Sequence, residues 1–204
     1  MQQNRQFKIT QSRLLLVEGQ DDSRFFGALL RYLNREDIQV GIYEGKDNLR
    51  PFLKGLPAVD GFSQLVSLGL TRDADSNADS TFQSVHDALE NAGLPAPNAP
   101  LELQPGQPRT AVMIMPPGET SGALEDLCLR AVSGHPAMSC VDAYFECVQR
   151  VVGELPQNQE KARVQAFLAS QKETVRLIGE AADKGYWQWD SDVYEPVRRF
   201  IDQL

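Results

Sequence analysis

The 204-residue sequence predicts an α/β fold, a sheet of about four mainly parallel strands flanked by helices and followed by a C-terminal helical extension. Three observations predict it. Short apolar runs bounded by turn residues lead into stretches with apolar side chains at three- and four-residue spacing. This strand-then-helix pattern occurs three times in succession, and parallel strands need such crossovers. Beyond residue 117 only helical periodicity remains.

Residues 1–12 are polar, with a weak edge-strand signal through Phe7 and Ile9. The run at 13–17, RLLLV, is continuously apolar after its arginine and suits a strand covered on both faces. Asp21 and Asp22 open a helix carrying Phe25, Phe26, Leu29, Leu30 and Leu33 on one side. Ile38, Val40, Ile42 and Tyr43 mark a second strand, and Leu49, Phe52, Leu53 and Leu56 a second helix. The third strand lies within LVSLGLTRDAD (65–75), and its helix carries Phe82, Val85, Ala88 and Leu89 before Gly93 and Pro95 end it. A proline-rich surface connection follows, with room for a short pairing around 101–103. Residues 111–115 then form the fourth strand, stopped by Pro116, Pro117 and Gly118. The next helix starts from Ser121 and Gly122, and four more are expected over 137–152, 159–170, 174–182 and 193–204. Residues 13–116 make the α/β core and 117–204 pack on it as part of one compact unit. Tyr186, Trp187 and Trp189 lie in a connection and are read as capping the core, with stacking on a base as the alternative.

A net charge of −8 argues against a protein that grips nucleic acid through a general basic surface. It leaves room for a local basic strip or a metal bridge. A composition 42% hydrophobic and 24% charged excludes a mainly disordered chain. Cys128, Cys140 and Cys147 form no CxxC pair and read as small buried residues of a reducing compartment, so neither a disulfide nor zinc is expected. No run approaches the ~18 apolar residues of a membrane span. A cytoplasmic location with no membrane partner is expected.

The chemistry is sought at the carboxyl ends of the strands, where open parallel sheets bind ligands. Glu18 follows the first strand, and Asp73 and Asp75 end the third. Residues two apart on an extended segment face the same side, so both aspartates are expected to reach one hard cation, with Glu18 converging on it. Oxygen donors of this kind suit Mg²⁺ or Mn²⁺, whose charge relieves their mutual repulsion. His86 and His135 lack metal-ligand spacing and read as structural or surface residues.

Val17-Glu18-Gly19-Gln20-Asp21-Asp22, followed by Asp73-Ala74-Asp75, resembles the Toprim pattern of a glutamate after the first strand and DxD after the third. The similarity covers about residues 13–116. Over the full chain the sequence resembles stand-alone bacterial Toprim-like proteins related to the overcoming-lysogenization-defect (OLD-type) nucleases. The resemblance implies a Rossmann-like Toprim fold and a metal-dependent phosphoryl-transfer site. Glu18 matches the glutamate that acts as general acid/base or metal ligand, and Asp73 and Asp75 match the metal-binding DxD. Asp22 sits where related primases and nucleases carry a further acidic residue. Glu125, in Gly122-Ala123-Leu124-Glu125-Asp126-Leu127, matches an acidic segment of the nuclease branch, and a helix N-terminal carboxylate is the alternative reading.

Lys46, Lys161 and Arg72 are candidate phosphate contacts, with exposed lysines and an Arg72–Asp73 ion pair as the plainer readings. The sequence departs from the family's larger members. It has no GxxxxGK[ST], since GIYEGK at 41–46 matches only superficially, so any ATPase partner is a separate protein. The implied function is a Mg²⁺- or Mn²⁺-dependent nuclease or phosphodiesterase acting on DNA or RNA. The alternative is a non-catalytic Toprim-fold module that binds or regulates a partner protein or nucleic acid.

Overall fold

The computed structural model describes residues 7–204. The apolar run Arg13–Val17 forms β1, buried from Leu14 onward. It lies between β2 (Ile38–Ile42) and β3 (Ser67–Asp73), and both pairings are parallel. Leu15 stands opposite Val40 on one side and Gly69 on the other. β3 pairs in parallel with Arg109–Met115, which becomes β5 because the proline-rich connection contributes a two-residue antiparallel strand, Leu103–Gln104 (β4). The order is β2-β1-β3-β5-β4.

Alternation along the strands divides the core into two layers. Leu15 and Val17 pack with Phe25, Phe26 and Leu29 of α1 (Gln20–Tyr32), whereas Leu14 and Leu16 pack with helices from the opposite face. Those are α2 (Leu49–Gly55) and α3 (Ala78–Asn91), through Leu49, Leu53, Phe82 and Val85. The C-terminal helices join the α1 layer. They are α4 (Leu124–Ala131), α5 (Ala137–Val152), α6 (Gln159–Ala169), α7 (Ile178–Asp183) and α8 (Glu195–Gln203).

Trp187 and Trp189 are buried in that layer, as capping of the core requires. The Trp187 indole N–H donates to the Ile178 carbonyl at 3.0 Å, and Phe25 meets Trp189 edge-on with ring centroids 5.0 Å apart. Burying side chains of this size stabilises by roughly 1.5–3 kcal/mol each. The fold therefore rests partly on the segment between α7 and α8.

Asp21 ties that region to the core. Its carboxylate accepts from the backbone N–H of Ile178 at 3.0 Å and of Gly179 at 2.6 Å. This borrowed cap starts α7 at Ile178, four residues later than periodicity predicts from residue 174, and Leu177 remains extended. Helix α1 approaches so closely that a Cβ on Gly179 would lie 2.4 Å from the Arg24 Cβ and 2.7 Å from the Asp21 carbonyl oxygen.

Two other expectations change. Residues 1–6 of the expected N-terminal segment lie outside the described residues. Within its remainder Ile9 is buried and donates to the Asp60 carbonyl at 2.9 Å, which anchors the segment without strand pairing. Only Cys128 is buried; Cys140 and Cys147 are exposed, because α5 contacts the core through Met138, Val141 and Phe145 and the two cysteines fall off that stripe. Among the described residues no helix is long and apolar enough to cross a membrane.

The α1–α7 contact makes Gly179→Ala costly. It is expected to lower the unfolding free energy by roughly 1–3 kcal/mol in urea melts. Gly55→Ala, with open space at its Cβ, is expected to be neutral or to stabilise by up to about 1 kcal/mol.

Candidate metal centre at the strand ends

Strand order decides where a ligand can enter. From β1 the chain moves outward to β2 and returns on the other side of β1 to form β3. The carboxyl ends of β1 and β3 therefore flank the point where the winding reverses, the usual crevice of such sheets. Glu18 follows β1 and Asp73 ends β3. Asp22, in the first turn of α1, and Glu125, in the first turn of α4, complete an acidic group around Asp73. All four side chains are neither fully buried nor freely exposed.

Local structure explains each position. The Asp22 carboxylate accepts from the Gly19 N–H at 3.1 Å, reaching back over the start of α1. Asp126 does the same for α4, accepting from the Ala123 N–H at 2.8 Å, which leaves Glu125 without that duty. Asp73 Oδ1 accepts from the Leu124 N–H at 3.1 Å, so the end of β3 caps the start of α4. Both helix N-termini thus open toward the crevice, and their partial positive charge partly offsets the carboxylates.

Asp75 departs from simple alternation. The strand ends at Asp73, and Asp75 adopts the left-handed conformation with φ 52°, which aspartate tolerates better than most residues. Its backbone exchanges hydrogen bonds with Gly122 at 2.9 and 2.8 Å, stitching the DxD turn to the loop before α4. Its side chain is half-exposed and pairs with Lys46 Nζ at 3.2 Å. Asp73 faces the acidic crevice, whereas Asp75 lines neither of the two clefts that meet there.

The first cleft, of about 410 Å³, is lined by Glu18, Gly19, Asp22, Glu44, Gly45 and Asp73. The second, of about 220 Å³, adds Asp21, Glu125, Lys161 and Arg176 to Asp22 and Asp73. Lys161 thus joins the acidic group through α6, as does Arg176 through the turn before α7. Periodicity gave no signal for Arg176, because its placement depends on the Asp21 latch. Arg72 does not pair with Asp73. Adjacent residues on a strand point to opposite faces, and Arg72 donates instead to the Ser84 hydroxyl of α3 at 3.3 Å.

Electrostatics single out Asp73. Burial, with the nearby charges of Asp22, Glu125 and Glu18, pushes its carboxyl up to about 8, against a hydrogen bond from the Leu124 N–H that pulls it down. Burial and the charges of Glu18 and Asp21 raise Asp22 to about 6. Among the described residues, no three of these carboxylates bring ligand oxygens within 4.8 Å of one another; His86, Asp87 and Glu90 on α3 do so. His86 is therefore less isolated than its sequence spacing implies, with Nδ1 3.7 and 3.8 Å from the two carboxylates.

The donor set at the strand ends fits a small hard dication. It is all oxygen and densely anionic, and the forces that raise Asp73 are those a cation would relieve. In the absence of divalent metal, folded Asp73 holds a proton between its unfolded value of 3.8 and about 8. The folded state then binds more protons than the unfolded one, so this group's contribution to stability falls as pH rises through that window. Asp73→Asn is expected to flatten the decline and to stabilise the metal-free protein at pH 8.5 by about 1–2 kcal/mol in chelator-containing urea melts. A wild-type profile that rises from pH 5 to 8 in parallel with that of the variant would contradict the assignment.

No curated protein matches the chain. Among solved structures, it is similar to the C-terminal region of the Xanthomonas campestris pv. campestris OLD protein. One structure, phased with platinum, has 15% identity and a TM-score of 0.48, covering 94% of this chain and 91% of that one. Another, phased with iodine, has 16% identity and a TM-score of 0.41, covering 94% and 81%. A family model described as "Protein of unknown function (DUF3226)" matches residues 12–204, and the chain belongs to that family.

Proposed function

We propose that the crevice binds Mg²⁺ or Mn²⁺ and that the protein carries out divalent-metal-dependent phosphoryl transfer, as a nuclease or phosphodiesterase on nucleic acid. The observation that carries this reading is the half-buried Asp73, raised to about 8 by burial and three neighbouring carboxylates. A perturbed group in a cleft at a winding reversal is a candidate functional residue with a stated physical cause. The Toprim-like order of Glu18, Asp73 and Asp75 in the sequence supports the same chemistry.

In this reading Asp73, Asp22, Glu18 and Glu125 hold the cation, and Asp75 joins them if it exchanges Lys46 for the metal. A divalent cation supplies charge neutralisation at a scissile phosphate and lowers the pKa of water. Glu18, which lines the wider cleft, exchanges a proton with the attacking or leaving oxygen. Lys161 and Arg176, which line the narrower cleft, bind phosphate oxygens where charge develops as the bond breaks. The N-termini of α1 and α4 favour the same anion.

A non-catalytic binding module is the second reading. It is favoured by the Lys46–Asp75 ion pair, which occupies the second DxD carboxylate. Cleavage assays separate the two.

Calorimetric titration of the metal-free chain with Mn²⁺ is expected to show binding with proton release at pH 7, lost in Asp73→Ala. Cleavage of labelled DNA or RNA in Mn²⁺ is expected to fall by roughly a hundredfold or more in that variant. Lys161→Ala is expected to lower kcat by at least about tenfold while leaving the Mn²⁺ affinity intact. Equal Mn²⁺ binding by wild type and Asp73→Ala, with no cleavage by either, would sink the enzymatic reading.

A further inference from the structure

A second pocket lies on the other face of the same strand ends. It has a volume of about 230 Å³ and is lined by Lys46, Arg50, Arg72 and Ser84, with Asp47 as its one acidic residue. Among the described residues neither Arg50 nor Arg72 forms an ion pair, in a chain of net charge −8. Arg72 Nε is buried without a hydrogen-bond partner, while its terminal nitrogen holds Ser84 at 3.3 Å. Arg72 and Arg50 line the pocket with no carboxylate partner among the described residues, and a guanidinium so placed favours an oxyanion ligand. Lys46, which pairs with Asp75 at 3.2 Å, lines the pocket beside the two arginines and adds a third positive charge.

The two sites are built from neighbouring residues. On β3, Asp73 faces the acidic crevice and Arg72 the basic pocket; after β2, Glu44 and Gly45 line the crevice and Lys46 and Asp47 the pocket. The Gly45 N–H donates to the Glu18 carbonyl at 3.1 Å, fixing the loop that joins them. An acidic site and a basic site thus adjoin across the top edge of the sheet. A mononucleotide needs only the first. A polynucleotide carries phosphates at regular spacing and can use both.

We propose that the Lys46–Arg50–Arg72 pocket binds a backbone phosphate of a nucleic-acid strand that passes over the sheet edge, with a nearby phosphate of the same strand at the acidic crevice. The proposal rests on the reading of the crevice as a phosphoryl-transfer site and adds to it a second phosphate-binding site for the same strand. Positioning by the basic pocket selects a strand over a free nucleotide or inorganic phosphate.

The test is fluorescence anisotropy of a short labelled single-stranded oligonucleotide with the full chain in EDTA at low salt. Wild type is expected to bind it, and Arg50→Ala and Arg72→Gln each to weaken binding by about tenfold. Each variant is also expected to reduce the slope of log affinity against log salt by about 0.7. Inorganic phosphate is expected to compete far less effectively than unlabelled oligonucleotide. Arg50 is exposed, so its variant keeps the test valid if Arg72→Gln does not fold. The proposal fails if wild type does not bind, if Arg50→Ala matches it in affinity and salt slope, or if inorganic phosphate competes as well as the oligonucleotide. Failure of the metal reading registers separately, in Mn²⁺ calorimetry of the wild-type chain, because the anisotropy is read without metal.

Discussion

The parallel pairing of β1 with β3 is the constraint from which the candidate site follows. Leu14, Leu15 and Leu16 stand opposite Leu68, Gly69 and Leu70, so residues over fifty positions apart end at the same height. Continuous apolar runs favour that pairing because both faces are covered, by α1 and the C-terminal helices on one side and α2 and α3 on the other. Shifting the register by one residue would turn Asp73 into the α2–α3 layer and Arg72 into the crevice. The charge pattern of the site is therefore a property of sheet register as much as of residue type.

Four carboxylates around one crevice oppose folding, and the surrounding structure offsets this. Two of them satisfy helix N–H groups, Asp22 at Gly19 and Asp73 at Leu124, replacing water lost on burial. A third aspartate, Asp21, lines the narrower cleft and holds α7 through the N–H groups of Ile178 and Gly179. Adjacent residues in one helical turn thus differ in role, Asp22 lining both clefts and Asp21 also latching α7. The cost of charge crowding is met by packing in the aromatic layer of Phe25, Trp187, Trp189 and Tyr194.

Much of the α/β core was legible because its signals are local. The runs 13–17 and 38–42 alternate with clear helical stripes, and α5 coincides with its periodic segment at 137–152. Glu18 and Asp73 could be brought to one edge of the sheet from their places at the carboxyl ends of parallel strands. What was not legible depends on tertiary contacts. Asp75 turns aside because the chain must meet Gly122, a partner 47 positions along the sequence, and no spacing rule encodes that. Arg72 points away from Asp73 as strand alternation demands, a rule that outweighs the attraction between neighbouring charges. Arg176 and Arg50 carry no motif; only the fold gives them neighbours.

If the crevice takes a cation as proposed, the caps on Asp22 and Asp73 bear on which one it prefers. In each carboxylate one oxygen already accepts a backbone N–H, Oδ2 in Asp22 and Oδ1 in Asp73. The other oxygen is the one left to grip a cation, so each aspartate favours a one-toothed bond. Ca²⁺, which fills six to eight positions and commonly takes carboxylates two-toothed, is poorly served by that arrangement. An octahedral ion that keeps several waters suits it better. In the proposed metal-binding reading, the hydrogen bonds that start two helices would thereby favour a small octahedral ion over Ca²⁺.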